Sequence, residues 1–198
     1  MLAIAVNGSP RKGGNTEILL KEVLGVLRKA GWKTGLERVG GTDIRGCSAC
    51  NRCLVRKDRQ CAIRKDVFNG IFAKMLEADA IILGSPVYFG GVSSDMKALV
   101  ERSGYVARAN GNAFAGKIGA AVVALRRGGA IHAFDTINHM YQMSRMIIPG
   151  STYWNMGFGR DKGEVSADEE GLANMRHLGA AINWLGKAIQ PHLAHYPE

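Results

Sequence analysis

Leu2-Ala3-Ile4-Ala5-Val6-Asn7-Gly8-Ser9-Pro10-Arg11-Lys12-Gly13-Gly14-Asn15-Thr16 opens the chain, and its reading decides the fold. Residues 2–6 form a strand that runs into a glycine-rich turn. Beyond it Ile18, Leu19, Val23, Leu24 and Leu27 recur at helical spacing until Gly31 stops the helix. Glycines between a strand and a helix let the backbone turn tightly and aim its N–H groups at an anion on the helix N-terminus. Ser9, Asn15 and Thr16 add side-chain donors, and Arg11 and Lys12 add positive charge. The Gly8-x4-Gly13 spacing matches a triphosphate loop, but Gly14-Asn15 replaces the lysine and hydroxyl residue that such a loop needs. The segment also lacks G-x-G-x-x-G. A single terminal phosphate fits it better than a triphosphate or a dinucleotide.

Outward from this unit the chain keeps a β/α alternation. Strands are expected at residues 33–39, 80–83, 117–125 and 152–156, with helices at 67–76, 93–107, 131–146 and 168–189. The apolar run 80–83 suits a central strand covered on both faces. Five strands alternating with five helices predict an α/β open, doubly wound parallel sheet in one domain over residues 1–198. Ligands of such sheets bind beyond the strands' carboxyl ends, where successive connections leave on opposite faces. Two further loops fall there. In Gly84-Ser85-Pro86-Val87-Tyr88-Phe89-Gly90-Gly91 a proline fixes the backbone and two aromatics sit in a glycine frame, which suits a planar ring. Arg126-Arg127-Gly128-Gly129 either closes over the same ring or simply ends the fourth strand.

All four cysteines, Cys47, Cys50, Cys53 and Cys61, lie between the second strand and the next helix, in a C-x2-C-x2-C-x7-C run within an insertion of about residues 43–66. Three tightly spaced thiols and a fourth shortly after can wrap a [4Fe-4S] cluster. Zinc is the second option, although its ligands usually come as two separated pairs, and unmetallated thiols are the third. Arg45, Arg52, Arg56, Lys57, Arg59, Arg64 and Lys65 crowd this segment, with Asp58 the sole acid between Arg45 and Lys65. Such cations either offset an anionic cluster or form a solvated face.

The motifs Gly8-Ser9-Pro10-Arg11-x-Gly13-Gly14-Asn15-Thr16, Ser85-Pro86-Val87-Tyr88 and Met96-Lys97-Ala98-Leu99-Val100-Glu101-Arg102 resemble those of the flavodoxin-like NADPH-dependent FMN reductases. With its cysteine insertion the chain looks most like the iron-sulfur flavoproteins of that superfamily, over residues 1 to about 150. The resemblance implies a flavodoxin-like sheet with non-covalent FMN. Ser9, Arg11, Asn15 and Thr16 would hold its phosphate, Pro86, Val87, Tyr88, Phe89 and Gly90 would lie along the ring, and Arg127, Gly128 and Gly129 would flank it. It further implies NAD(P)H or a reduced ferredoxin as electron donor and a homodimer or homotetramer. The expected function is an FMN-dependent oxidoreductase, and the alternative is a flavodoxin-type electron carrier without a substrate of its own. The flavin supplies the redox chemistry, so no catalytic side chain is assigned.

Composition narrows the partners. With 46% apolar and 22% charged residues the chain is of ordinary globular type. A net charge of +9 admits anionic cofactors, an acidic redox partner or nucleic acid. No aromatic residue lies between Trp32 and Phe68 to interleave with the clustered cations, which argues against single-strand binding. No apolar stretch approaches the roughly 18 residues of a membrane span. The amino end lacks a basic n-region followed by an apolar h-region, so a cytoplasmic location is expected. His132, His139, His192 and His195 carry no ligand spacing, and Gly157-Phe158-Gly159 is only half a dinucleotide fingerprint.

Overall fold

The computed structural model describes residues 1–197. Its elements are β1 (Leu2–Asn7), α1 (Asn15–Lys29), β2 (Lys33–Arg38), α2 (Arg52–Arg56), α3 (Phe68–Glu77), β3 (Ala80–Pro86), α4 (Ser94–Ala109), β4 (Ile118–Leu125), α5 (Ala130–Met143), β5 (Met156–Phe158) and α6 (Glu169–Ile189). The five strands are all parallel, in the order β2-β1-β3-β4-β5. This is the doubly wound sheet that the β/α alternation predicts.

Alternation along each strand divides the core into two layers. Ala3, Ala5, Ile82, Ala120 and Val122 face α1 and α6, where Leu19, Leu20, Val23, Leu178 and Ile182 are buried. Ile4, Val6, Ile81, Leu83 and Ala121 face α3, α4 and α5, where Phe72, Leu99 and Ile137 are buried. Tyr141 of α5 reaches into the sheet itself. Its hydroxyl accepts the Leu83 N–H at 3.0 Å and lies 3.1 Å from the Ile81 and Ala120 carbonyls. A side chain at position 119 would meet this ring at 2.7 Å, which explains Gly119 in an apolar strand.

Two elements differ from the sequence reading. The fifth strand lies at Met156–Phe158, after the predicted residues 152–156, although Thr152, Tyr153 and Trp154 have strong β propensity. Tertiary packing selects the later register. At Gly157 a Cβ would stand 2.7 Å from the Leu19 side chain of α1, so only a glycine lets the edge strand close on β4 there. Tyr153 and Trp154 stay exposed, with their rings 4.8 Å apart. The second difference is α2, a five-residue helix inside the cysteine segment, which is too short and too polar to show periodicity.

The cysteine segment leaves the sheet after β2 and returns at α3, and one buried ion pair fastens both of its ends. Arg102 of α4 is fully buried and pairs with Asp66, whose side chain is 1% exposed. The guanidinium also donates to the Arg45 and Ile63 carbonyls, each at 3.1 Å, and lies 4.1 Å from the Phe68 ring centroid. Burial pushes the Asp66 carboxyl up, but hydrogen bonds from Arg102 and the Arg45 N–H, together with the guanidinium charge, hold it below its ordinary value. A depressed carboxylate stabilises the fold above its unfolded value of about 3.9, and the contribution is lost as pH falls through the folded value. Arg102→Met leaves that carboxylate buried and unpaired, so urea unfolding should show a loss of about 3–5 kcal/mol. In Asp66→Asn the decline of stability below about pH 4 should flatten.

Candidate functional site

The turn after β1 is built almost entirely by local hydrogen bonds. Asn7 Oδ1 accepts the Ser9 N–H at 2.9 Å, Ser9 Oγ accepts the Arg11 N–H at 3.2 Å, and the Glu17 carboxylate accepts the Gly13 N–H at 2.8 Å. Lys21 and that N–H hold the Glu17 carboxyl below its usual range. Gly13 takes a left-handed φ of 66°, which brings the chain round to α1. Two neighbours clamp the turn. The Gly8 N–H donates to the Gly84 carbonyl and Ser93 Oγ donates to the Gly8 carbonyl, both at 2.7 Å. Gly40 presses on it from the other side. Thr16, in the first turn of α1, is 1% exposed, and its hydroxyl has no partner in the protein.

A cleft opens at this point from four loops. Ser9, Arg11, Asn15 and Thr16 come from the first, and Pro86, Val87 and Tyr88 from the end of β3. Ala124, Leu125 and Arg126 come from the end of β4, and Gly159, Arg160 and Lys162 follow β5. Four cations and no carboxylate line it. The first-turn N–H groups of α1 have no carbonyl behind them, and the helix dipole adds partial positive charge. The chemistry of this donor set suits a phosphate, and the unpartnered Thr16 hydroxyl gives that fit a specific atom.

Five of the expected flavin residues fall outside the lining. Tyr88 and Gly91 exchange backbone hydrogen bonds at 2.9 and 3.0 Å, which closes a tight turn with Phe89 at φ 48° and Gly90 at φ 80°. That turn leaves Phe89 fully exposed, since its positive φ is the geometry of a two-residue hairpin. Arg127 and Gly128 are exposed beyond β4, and Gly129 buttresses the loop. A Cβ there would stand 3.0 Å from the Gly90 backbone and the Val87 side chain. Of the two outcomes left open for the 126–129 loop, only Arg126 reaches the cleft.

The fourth loop is absent from the sequence reading, which places strand five too early. Asn15 holds it: Nδ2 donates to the Asp161 carbonyl at 3.0 Å, and Oδ1 accepts the Gly163 N–H at 2.8 Å. The Asn15 amide thus ties the first loop to the fourth while one of its N–H groups stays free in the cleft lining. Gly159 makes the approach possible, since a Cβ there would lie 2.7 Å from Asn15 Nδ2. Basic Arg160 and Lys162 immediately after a glycine were the available signal.

The cysteine segment lies over α4. Asn69 accepts the Cys61 N–H at 2.8 Å and donates to its carbonyl at 3.1 Å, and Asn110 accepts the Arg59 N–H at 2.9 Å. Burial raises the Cys53 thiol pKa, and the neighbouring Cys47 and Cys61 add to the effect. Cys50 is exposed, and the Arg52 N–H and Ser48 hydroxyl lower its thiol pKa. Ala49 and Asn51, on either side of Cys50, hold left-handed φ values of 50° and 53°. Among the described residues no three Cys, His, Asp or Glu side chains are gathered closely enough to hold a metal ion. Among the described residues no helix is long and apolar enough to cross a membrane.

A doubly wound parallel sheet with a phosphate-type cleft between β1 and β3 defines the flavodoxin-like class. Structural likeness agrees: a RosB crystal structure with a bound riboflavin-5'-phosphate derivative superposes with a TM-score of 0.73 at 18% identity, covering 97% of this chain and 81% of that one. The chain belongs to the NADPH-dependent FMN reductase family, flavodoxin-like oxidoreductases that bind FMN, whose family model matches residues 1–161. Within it the chain groups with the iron-sulfur flavoproteins. One from Methanocaldococcus jannaschii is 36% identical across 96% of this chain and all of its own length, and one from Archaeoglobus fulgidus is 33% identical across 88% and 92%.

Gly40 tests the cradle's tightness. In Gly40→Ala the new methyl collides with the Ser9 and Gly8 backbones, which cannot yield as a flexible side chain would. Thermal unfolding should show a loss of about 1–3 kcal/mol, with a larger share at the site than elsewhere in amide exchange.

Proposed function

We propose that the cleft holds FMN by its phosphate and that the chain is an electron-transferring oxidoreductase in which Cys47, Cys50, Cys53 and Cys61 hold a [4Fe-4S] cluster. The observation that carries the reading is the acid-free cationic cleft with an unpartnered Thr16 hydroxyl at the start of α1. When bound, the flavin supplies two-electron chemistry with a reduced donor and the cluster passes electrons singly. Ser9, Thr16 and Arg11 offer hydrogen bonds and charge to the phosphate. Pro86, Val87 and Tyr88 offer an apolar wall to the ring, held by the Val87 N–H bond to the Ala124 carbonyl at 2.9 Å.

For the cysteines, support comes from the donor set and its surroundings. All four are thiols within 15 residues of one another, and Asp58 is occupied by Arg56 at 2.6 Å and Arg64 at 3.6 Å. The remaining exposed cations would offset an anionic cluster and attract an acidic donor such as a reduced ferredoxin. Closing the set requires the thiols to draw together, the exposed Cys50 among them. Its two left-handed neighbours are the kind of local strain that a bound group pays back.

Protein purified without oxygen should carry about one FMN and about four iron and four sulfide per chain. Cys53→Ser should lose the iron and its broad visible absorbance while keeping the flavin; a variant that retains its iron would remove Cys53 from the set. Steady oxidation of NAD(P)H with a quinone acceptor supports the enzyme, whereas a chain that only exchanges electrons with ferredoxin is a carrier.

A further inference from the structure

We propose that Lys162 is a phosphate ligand of the cleft, delivered by the loop after β5, and that it makes the site select a phosphorylated flavin over the unphosphorylated form. The inference rests on the flavin reading above and assigns it a residue outside the first loop.

Lys162 hangs over the turn. Its Cε and Nζ lie 3.5 and 3.8 Å from where a Cβ on Gly13 would stand, and the side chain lines the same cleft as Ser9 and Thr16. The loop that carries it is pinned on both sides. Before Lys162, Arg11 Nη1 donates to the Arg160 carbonyl at 3.2 Å and Asn15 Nδ2 to the Asp161 carbonyl at 3.0 Å. After it, the Gly163 N–H donates to Asn15 Oδ1 at 2.8 Å. Glu164 Oε2 accepts the Arg160 and Asp161 N–H groups at 2.7 and 2.9 Å, and those bonds hold its carboxyl below the usual range. This nearby acid is therefore spent on backbone, and among the described residues no carboxylate forms an ion pair with Lys162.

A backbone fixed this closely, with its ammonium left unpaired beside a buried unpartnered hydroxyl, is arranged for an anion. An uncharged ribityl chain offers Lys162 nothing to neutralise, whereas a phosphate dianion does. Asn15 acts on this loop as a latch, its amide holding the backbone on either side of the lysine in place.

Titration of flavin-free protein with FMN and with riboflavin, followed by quenching of flavin fluorescence, separates the roles. Lys162→Ala should weaken FMN about tenfold and leave riboflavin within about twofold, and Lys162→Arg should recover most of the loss. Lys29→Ala removes the same charge at the far end of α1 and should leave both flavins within about twofold. Unchanged FMN affinity in Lys162→Ala, equal losses for the two flavins, or an equal loss in Lys29→Ala would overturn the assignment of Lys162 while the flavin reading stands. Wild-type protein that takes up neither flavin would overturn that reading and this inference together.

Discussion

β1 has one neighbour reached through α1 and another reached through α3, because the chain steps first to β2 and then back across β1 to β3. Right-handed crossovers taken in opposite directions must leave on opposite faces of the sheet. Among the described residues no helix therefore covers the carboxyl ends of both β1 and β3, and in the gap between them a helix N-terminus, a backbone turn and loop ends converge. The sequence fills that gap with groups that need an anion. Ser93 and Gly84 hold the turn from the β3 side and Gly40 from the β2 side, so the cradle is stiff before anything binds. Stiffness of this kind reduces the ordering cost on binding.

The cysteine segment is a different physical problem. Between β2 and α3 Cys61 is buried and Ile44, Cys53 and Ile63 pack on the core, but Leu54 and Val55 of α2 are exposed, so hydrophobic burial orders only part of it. Polar contacts add to this: a buried guanidinium shared among Asp66, Arg45 and Ile63, and an amide at Asn69 clasping Cys61. Buried pairs of this type add little net stability against an apolar replacement, but they are costly to break and they fix geometry.

Much of this was legible in the chain. β1, β3 and β4 show themselves as apolar runs, and the first loop is readable because strand, glycines and helix stand next to each other in sequence. Pro86, Val87 and Tyr88 were readable for the same reason. What escaped was whatever depends on contact across the fold. The strand propensity of Thr152, Tyr153 and Trp154 is real, yet Leu19 of α1 decides that Gly157 sits in the sheet. Asn15 has the chemistry of a phosphate donor, and only its distances to Asp161 and Gly163 show that its amide also fastens the loop after β5. Phe89 belongs to an aromatic loop in sequence, but the hairpin turn sends it outward. The Met96-Lys97-Ala98-Leu99-Val100-Glu101-Arg102 motif signalled kinship without revealing its physical task.

That task follows from the periodicity of α4. Ser93 caps the helix, accepting the Met96 N–H at 3.3 Å, and its hydroxyl holds the phosphate turn through Gly8. Asp95 accepts the Gly41 N–H at 2.7 Å, just where the chain leaves β2. Two turns on, Arg102 grips both ends of the cysteine segment, and two turns further Asn110, immediately after the helix, takes the Arg59 N–H. Spacings of seven and eight residues return to one helical face, so a single stripe of α4 is committed to the insertion. The same rigid rod thus anchors the turn at one end and the thiol segment along its length. A helix of 16 residues spans about 24 Å and does not bend at so small a scale, so the two sites keep a fixed separation without touching. α4 is therefore the element that sets the spacing between the phosphate turn and the cysteine segment.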